Sequence, residues 1–118
     1  MRRIAKKKIP LSKLKQLRAQ VIFKRDGGRC VRCGSDKGIS PSHVYPQGRY
    51  PRMAWIMINI KTLCWSCHFN WWHKHPLEAK EWFDEKYPGR AEQLKEISKQ
   101  HLPALDHNKI KEYLEQFI

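Results

Sequence analysis

Acidic residues are absent from the first quarter of this chain. Residues 1–25 hold ten Lys or Arg and not one Asp or Glu. Such a segment has no counter-charge of its own and is expected to meet a polyanion. The imbalance fades along the chain. Residues 26–75 hold seven basic and two acidic residues, and residues 76–118 hold seven basic and nine acidic. The formal net charge of +13 therefore sits towards the N-terminal end. Nucleic acid is the favoured partner, because neutralising phosphates releases counterions. A basic amphipathic helix lying on an anionic membrane is the rival reading.

A long apolar run is also lacking. None approaches the ~20 residues that span a bilayer, so no membrane partner is expected. Residues 1–8 carry the charge of a signal peptide, but no apolar stretch follows them. The expected compartment is the cytoplasm, where thiols stay reduced. Cysteine is sparse, with four in 118 residues. In a reducing compartment these four do not read as a disulfide framework.

Their spacing is informative. Cys30 and Cys33 form one Cys-x-x-Cys pair, Cys64 and Cys67 another, with thirty residues between the pairs. Two such pairs can give four thiolates to one tetrahedral Zn²⁺, and a closed shell of this kind serves folding rather than chemistry. Gly34, after the second cysteine, lets the first knuckle turn so that backbone amides face sulfur. Free buried cysteines are the plain alternative. Cys64-Trp65-Ser66-Cys67-His68 also matches the pattern of c-type haem attachment. That reading needs export machinery and leaves Cys30 and Cys33 unexplained. A zinc knot behind the basic segment favours nucleic acid over membrane.

The length suits one domain with a modest core. Residues 1–9 read as basic and flexible. Residues 10–26 read as a basic helix, with Leu11, Leu14, Leu17 and Val21 inward and Lys13, Lys15, Arg18, Lys24 and Arg25 outward. Residues 27–76 form the zinc-stapled core. Within it, residues 39–44 are a strand, residues 53–63 contain another, and a helix runs from about Cys64 to Lys74. Residues 77–118 hold helices. Pro76 opens the first, Pro88-Gly89 breaks it, Pro103 limits the second, and Asp106 caps the third. The fold class is α+β.

Chemistry gathers in the insert and just after it. His43, Asn59 and His68 surround the knot in sequence. The run His43-Val44 followed by Asn59-Ile60-Lys61-Thr62-Leu63-Cys64-Trp65-Ser66-Cys67-His68 resembles the HNH endonuclease superfamily. So does the entry Phe23-Lys24-Arg25-Asp26-Gly27 into the first knuckle. The resemblance covers about residues 21–76. His75-Pro76-Leu77-Glu78 and the Trp-bearing helix after it resemble phage-encoded members.

That resemblance implies a ββα-metal core, a β-hairpin and helix gripping one divalent ion. It implies a DNA endonuclease with His43 as general base. Asn59 would orient that histidine or bind the ion, and His68 would be a metal ligand. The catalytic ion would be Mg²⁺ or Mn²⁺, separate from the structural Zn²⁺. Many members carry Asp or His just before the base as a second ligand, where this chain has Ser42. His73, or else His75, is the candidate to make up the set. Arg49 and Arg52 are candidates for holding phosphate. Lys13, Arg18, Lys24 and Arg25 are candidates for backbone contacts to DNA. Most of Trp55, Trp65, Trp71 and Trp72 read as core, with one free to stack on a base. A phage setting in the host cytoplasm, with packaging or replication proteins as partners, is implied by the resemblance alone. The second reading is a non-catalytic zinc module that binds nucleic acid.

Overall fold

In a computed structural model, residues 8–118 are described. The expected flexibility of residues 1–9 falls almost wholly outside them. Helix α1 spans Leu11–Arg25, strand β1 Ile39–His43 and strand β2 Ile60–Cys64. A π-helix covers Ser66–Trp72. Three α-helices follow: α2 Pro76–Lys86, α3 Arg90–Ser98 and α4 His107–Glu115. The α+β class expected from the sequence is therefore present, as helices around one antiparallel two-stranded sheet.

Helix α1 ends where its glycines let it. Gly27 and Gly28 have φ of 75° and 71°. The Gly28 N–H donates to the Phe23 carbonyl at 2.8 Å, a reach back of five residues that closes the last turn. The helix packs by Leu14, Val21 and the half-buried Leu17 against Ala54, Trp55 and Leu114. Two expectations fail here. Leu11, the first residue of the helix, is exposed. Arg18 is buried, 4% exposed, and stands in the core beside Trp55 with its guanidinium 4.3 Å from the ring centroid.

The hairpin pairs Ile39 with Cys64 and His43 with Ile60. Side chains alternate across such a sheet. Thr62 meets the end of α1, where Asp26 accepts from its N–H and its hydroxyl at 3.0 and 2.8 Å. Ser40 and Ser42 turn towards the π-helix side, where they meet His68 and Lys61. Between the strands, residues 51–59 form two short 3₁₀ turns, Pro51–Met53 and Met57–Asn59, so the second strand starts later than the apolar composition suggests. Trp72 and Trp82 pack against both the cysteine cluster and a third core built on Met53, Phe83 and Leu94. Asp106 caps α4 as expected, accepting from the Asn108 and Lys109 N–H groups.

Candidate functional site

The four cysteines converge. Their sulfurs lie within 4.8 Å of one another, and Cys33 and Cys64 Sγ are 3.6 Å apart. Four sulfurs about 2.3 Å from one ion at tetrahedral corners lie roughly 3.8 Å apart, so the cluster fits zinc. Each knuckle turns an amide onto sulfur: Cys33 N–H donates to Cys30 Sγ at 3.5 Å, and Cys67 N–H to Cys64 Sγ at 3.4 Å. Arg32 adds a guanidinium donor to Cys67 Sγ at 3.4 Å while its Cζ rests 3.8 Å from the Trp71 ring centroid. Burial works against thiolate at Cys30, but amide donors from Cys33, Cys64 and Arg32 bring its pKa down to about 7. At Cys67, burial and the neighbouring thiols push it up to about 12 despite Arg32.

A cleft of about 410 Å³ opens between β1 and the π-helix, and His43, His68 and His73 all line it. His43 closes β1. The carbonyl of Ala54, an acceptor only, lies 3.0 Å from its Nε2, so Nε2 carries the proton and Nδ1 keeps the lone pair. Burial holds this imidazole neutral, with its pKa down at about 4. Arg18, Lys61 and Lys15 lower it further and the Ala54 bond opposes them. His68 is similarly depressed, to about 4, by burial first and then by His73, Lys61 and His43. Its Nδ1 lies 3.1 Å from Ser40 Oγ. With Nδ1–H donating to that hydroxyl, Nε2 is the nitrogen free to bind an ion.

The π-helix brings His73 to His68. An α-helix advances ~100° per residue, which would leave residues five apart on different faces. Here the His73 N–H donates to the His68 carbonyl at 3.2 Å, and the two rings stack with centroids 4.9 Å apart. Such π-turns are frequent at functional sites. His75 lies outside the lining of the cleft.

Asn59 takes a different part. It is fully buried. Its Oδ1 accepts from the Tyr45 N–H at 2.8 Å, and its Nδ2 donates to the Tyr45 and Met53 carbonyls at 3.1 and 3.0 Å. The amide therefore clasps the 45–59 loop that carries Ala54, and so sets His43 indirectly; it does not present an oxygen to the cleft. Ser42 is also fully buried, and it accepts from Lys61 Nζ at 3.2 Å.

The basic candidates divide. Lys13, Lys24 and Arg49 are exposed. Arg52 donates to the Leu102 carbonyl and so braces the C-terminal segment. Arg25 donates to the Met57 and Ile60 carbonyls and pairs with Asp26 at 2.9 Å. Arg18 donates to the Ala54 carbonyl at 3.0 Å from inside the core. Arg18 is thus buried away from any phosphate, whereas Arg25 and Arg52 remain exposed while they brace backbone carbonyls.

Lys61 went unread in the sequence. It is 1% exposed, the second residue of β2, with Nζ 3.3 Å from the Trp72 ring centroid. Burial lowers its pKa well below that of an ordinary lysine. The only signal was a lysine within a strand that carries no other charge. The chain has no acidic residue between Asp36 and Glu78, and among the described residues no carboxylate lines the cleft. Comparison with family models, with curated proteins and with solved structures finds no match for this chain.

Proposed function

We propose that this chain is a small HNH-type nuclease that hydrolyses phosphodiester bonds in DNA, with His43 as general base. The observation that carries the reading is the single cleft onto which His43, His68 and His73 all face. His43 suits the task. It is neutral at physiological pH, and its Nε2–H is tied to Ala54, so Nδ1 can take a proton from water. That water attacks phosphorus, and the bond to the 3′ oxygen breaks. Asn59 acts as a positioning residue through the loop it clasps.

A divalent ion such as Mg²⁺ or Mn²⁺ would supply charge stabilisation at the phosphate and the leaving oxygen. His68 would hold it through Nε2, with His73 beside it. Among the described residues only the cysteines form a group of three or more metal-binding side chains, so phosphate and water would complete this shell. The cysteine cluster would hold a separate Zn²⁺ with a structural role. Exposed Lys13, Lys24 and Arg49 are available for phosphate contacts. A phage setting, with packaging or replication proteins as partners, rests on the sequence resemblance alone.

The cleft's lack of a carboxylate favours a second reading, a zinc-stapled nucleic-acid-binding module without catalysis. Supercoiled plasmid separates the two. Wild type should relax or linearise it with Mg²⁺ or Mn²⁺, and His43→Ala should bind it without cutting. Equal cutting by purified His43→Ala removes the assigned base, and no cutting by wild type with either ion leaves the binding module.

A further inference from the structure

The outer side of the π-helix carries a row of rings, and the proposed chemistry does not use two of them, Trp65 and Phe69. Trp65 is 59% exposed and Phe69 43% exposed. Their ring centroids are 5.7 Å apart. Phe69 stacks in turn on His68 at 4.4 Å and lies 6.0 Å from His73, with interplanar angles of 25° and 30°. The row is continuous with the cleft, because His68 and His73 belong to both.

Core packing does not explain the exposed members. Trp71, six residues after Trp65, is buried, and Trp72 and Trp82 fill the space against the cysteine cluster. Trp65 and Phe69 are left with large apolar faces in water, at a site with no acidic residue from 37 to 77. Flat apolar faces on a segment without carboxylates suit the bases of a polyanion. The bases of a duplex are already stacked on each other and present only their edges in the grooves. Unpaired bases offer their faces, and stacking on aromatic side chains binds them with little regard to sequence.

We propose that the row of Trp65, Phe69 and His73 is a stacking platform for unpaired nucleobases, and that it leads a single DNA strand into the cleft. The preferred substrate would then be single-stranded DNA or the unpaired arm of a branched duplex. The inference rests on the nucleic-acid part of the reading above and not on the cleavage step.

Binding decides it. The full-length, zinc-loaded chain, without other divalent ions, is titrated with three fluorescein-labelled probes at one salt concentration. These are a single strand of about 12 nucleotides, a strand of the same length made abasic throughout, and the matching duplex. The abasic strand keeps its phosphates and loses only the stacking faces. Wild type should bind the intact strand at least tenfold more tightly than the abasic one. Trp65→Ala with Phe69→Ala should lose roughly tenfold per ring for the intact strand alone. Its affinity for the abasic strand and the duplex should stay within about twofold, and Trp65→Tyr should retain the preference.

Equal binding of intact and abasic strands by wild type overturns the proposal, and so does a variant that loses affinity equally for all three probes. Zinc content and melting midpoint check the fold of each variant. Should the double variant fail to fold, the wild-type comparison and Trp65→Tyr still give the answer. Plasmid cleavage without a base preference sinks this inference alone, whereas a base preference without cleavage sinks only the enzymatic reading.

Discussion

His43 and Arg18 share one acceptor. His43 Nε2 and Arg18 Nη1 each lie 3.0 Å from the Ala54 carbonyl oxygen. A protonated imidazole there would place a second buried cation beside the guanidinium. Burial, Arg18 and the nearby lysines accordingly keep the His43 pKa at about 4, below the ordinary value of 6.5. Two consequences follow for pH. A cleavage rate that depends on neutral His43 should be flat from about pH 6 to 8 and fall only near pH 4–5, rather than through the usual histidine range. Stability should move in the same sense. The unfolded chain binds the His43 proton at higher pH than the folded one does, so this contribution is present above about 6.5 and is lost as pH falls towards 4. Initial rates and urea midpoints across pH 4–8 would check both, and an acid limb centred near 6.5 would contradict the buried geometry.

Lys61 acts on two of the cleft histidines, His43 and His68. Its charge depresses the pKa of both. Its own pKa is lowered by burial, so the folded chain gives up the proton more readily than the unfolded one, and at neutral pH this costs stability. The Trp72 face at 3.3 Å and the Ser42 hydroxyl offset part of that cost. Lys61→Met keeps the length and removes the ionisable group. The expected result is an unfolding free energy higher by about 1–2 kcal/mol at pH 7, with loss of the gain that wild type shows as pH rises towards 10. The acid limb of the cleavage rate should shift upward. Denaturant titrations at pH 7 and 9.5 with the matching rate profile would test it, and a variant less stable than wild type at pH 7 would show that the ammonium is a net support.

The helices and the knot were legible in the sequence for local reasons. Proline and glycine punctuate α2 and α3, Asp106 announces α4, and paired cysteines at knuckle spacing converge in one cluster. The burial of Arg18 and Lys61 was not legible, nor were the carbonyl contacts of Arg25 and Arg52. Sequence patterning assigns a charged side chain to solvent, yet each of these reaches a carbonyl, a hydroxyl or an aromatic face contributed by residues far away in the chain. The stacking of His68 on His73 was hidden for another reason. It depends on a helical pitch that residue spacing alone does not announce.

Asp26 joins the end of α1 to β2, and the joint should be measurable. Its carboxylate accepts from Arg25 Nε and Nη2 and from the Thr62 N–H and hydroxyl. Burial alone would raise its pKa, but the Arg25 guanidinium and the two Thr62 donors bring it below the ordinary carboxylate value. This support is complete above the unfolded value near 3.9 and lost as pH falls through the folded one. Asp26→Ala leaves the Thr62 donors and the Arg25 guanidinium short of an acceptor. It should destabilise the fold by about 2–3 kcal/mol at pH 7, and the deficit should shrink below pH 4. Chemical denaturation at pH 7 and 3.5 gives both numbers, and an unchanged midpoint at pH 7 would mean that water replaces the carboxylate.

Zinc at the cysteine cluster should govern whether the chain folds at all. The sheet has two strands of five residues each, too short to stand without help. Cys30, Cys64 and Cys67 are themselves part of the core around Leu63. Structural zinc contributes about 10–16 kcal/mol of apparent binding free energy in small domains, and that energy is folding energy. One zinc per chain is expected on elemental analysis. Cys33→Ser removes the most exposed ligand with the least disturbance to packing. It should still abolish stoichiometric zinc and the cooperative thermal transition, as should stripping wild type with a strong chelator. His43→Ala should leave both intact, which separates loss of fold from loss of chemistry. A cooperative, unshifted melt of Cys33→Ser in the presence of chelator would show that packing suffices and that the four sulfurs need no ion.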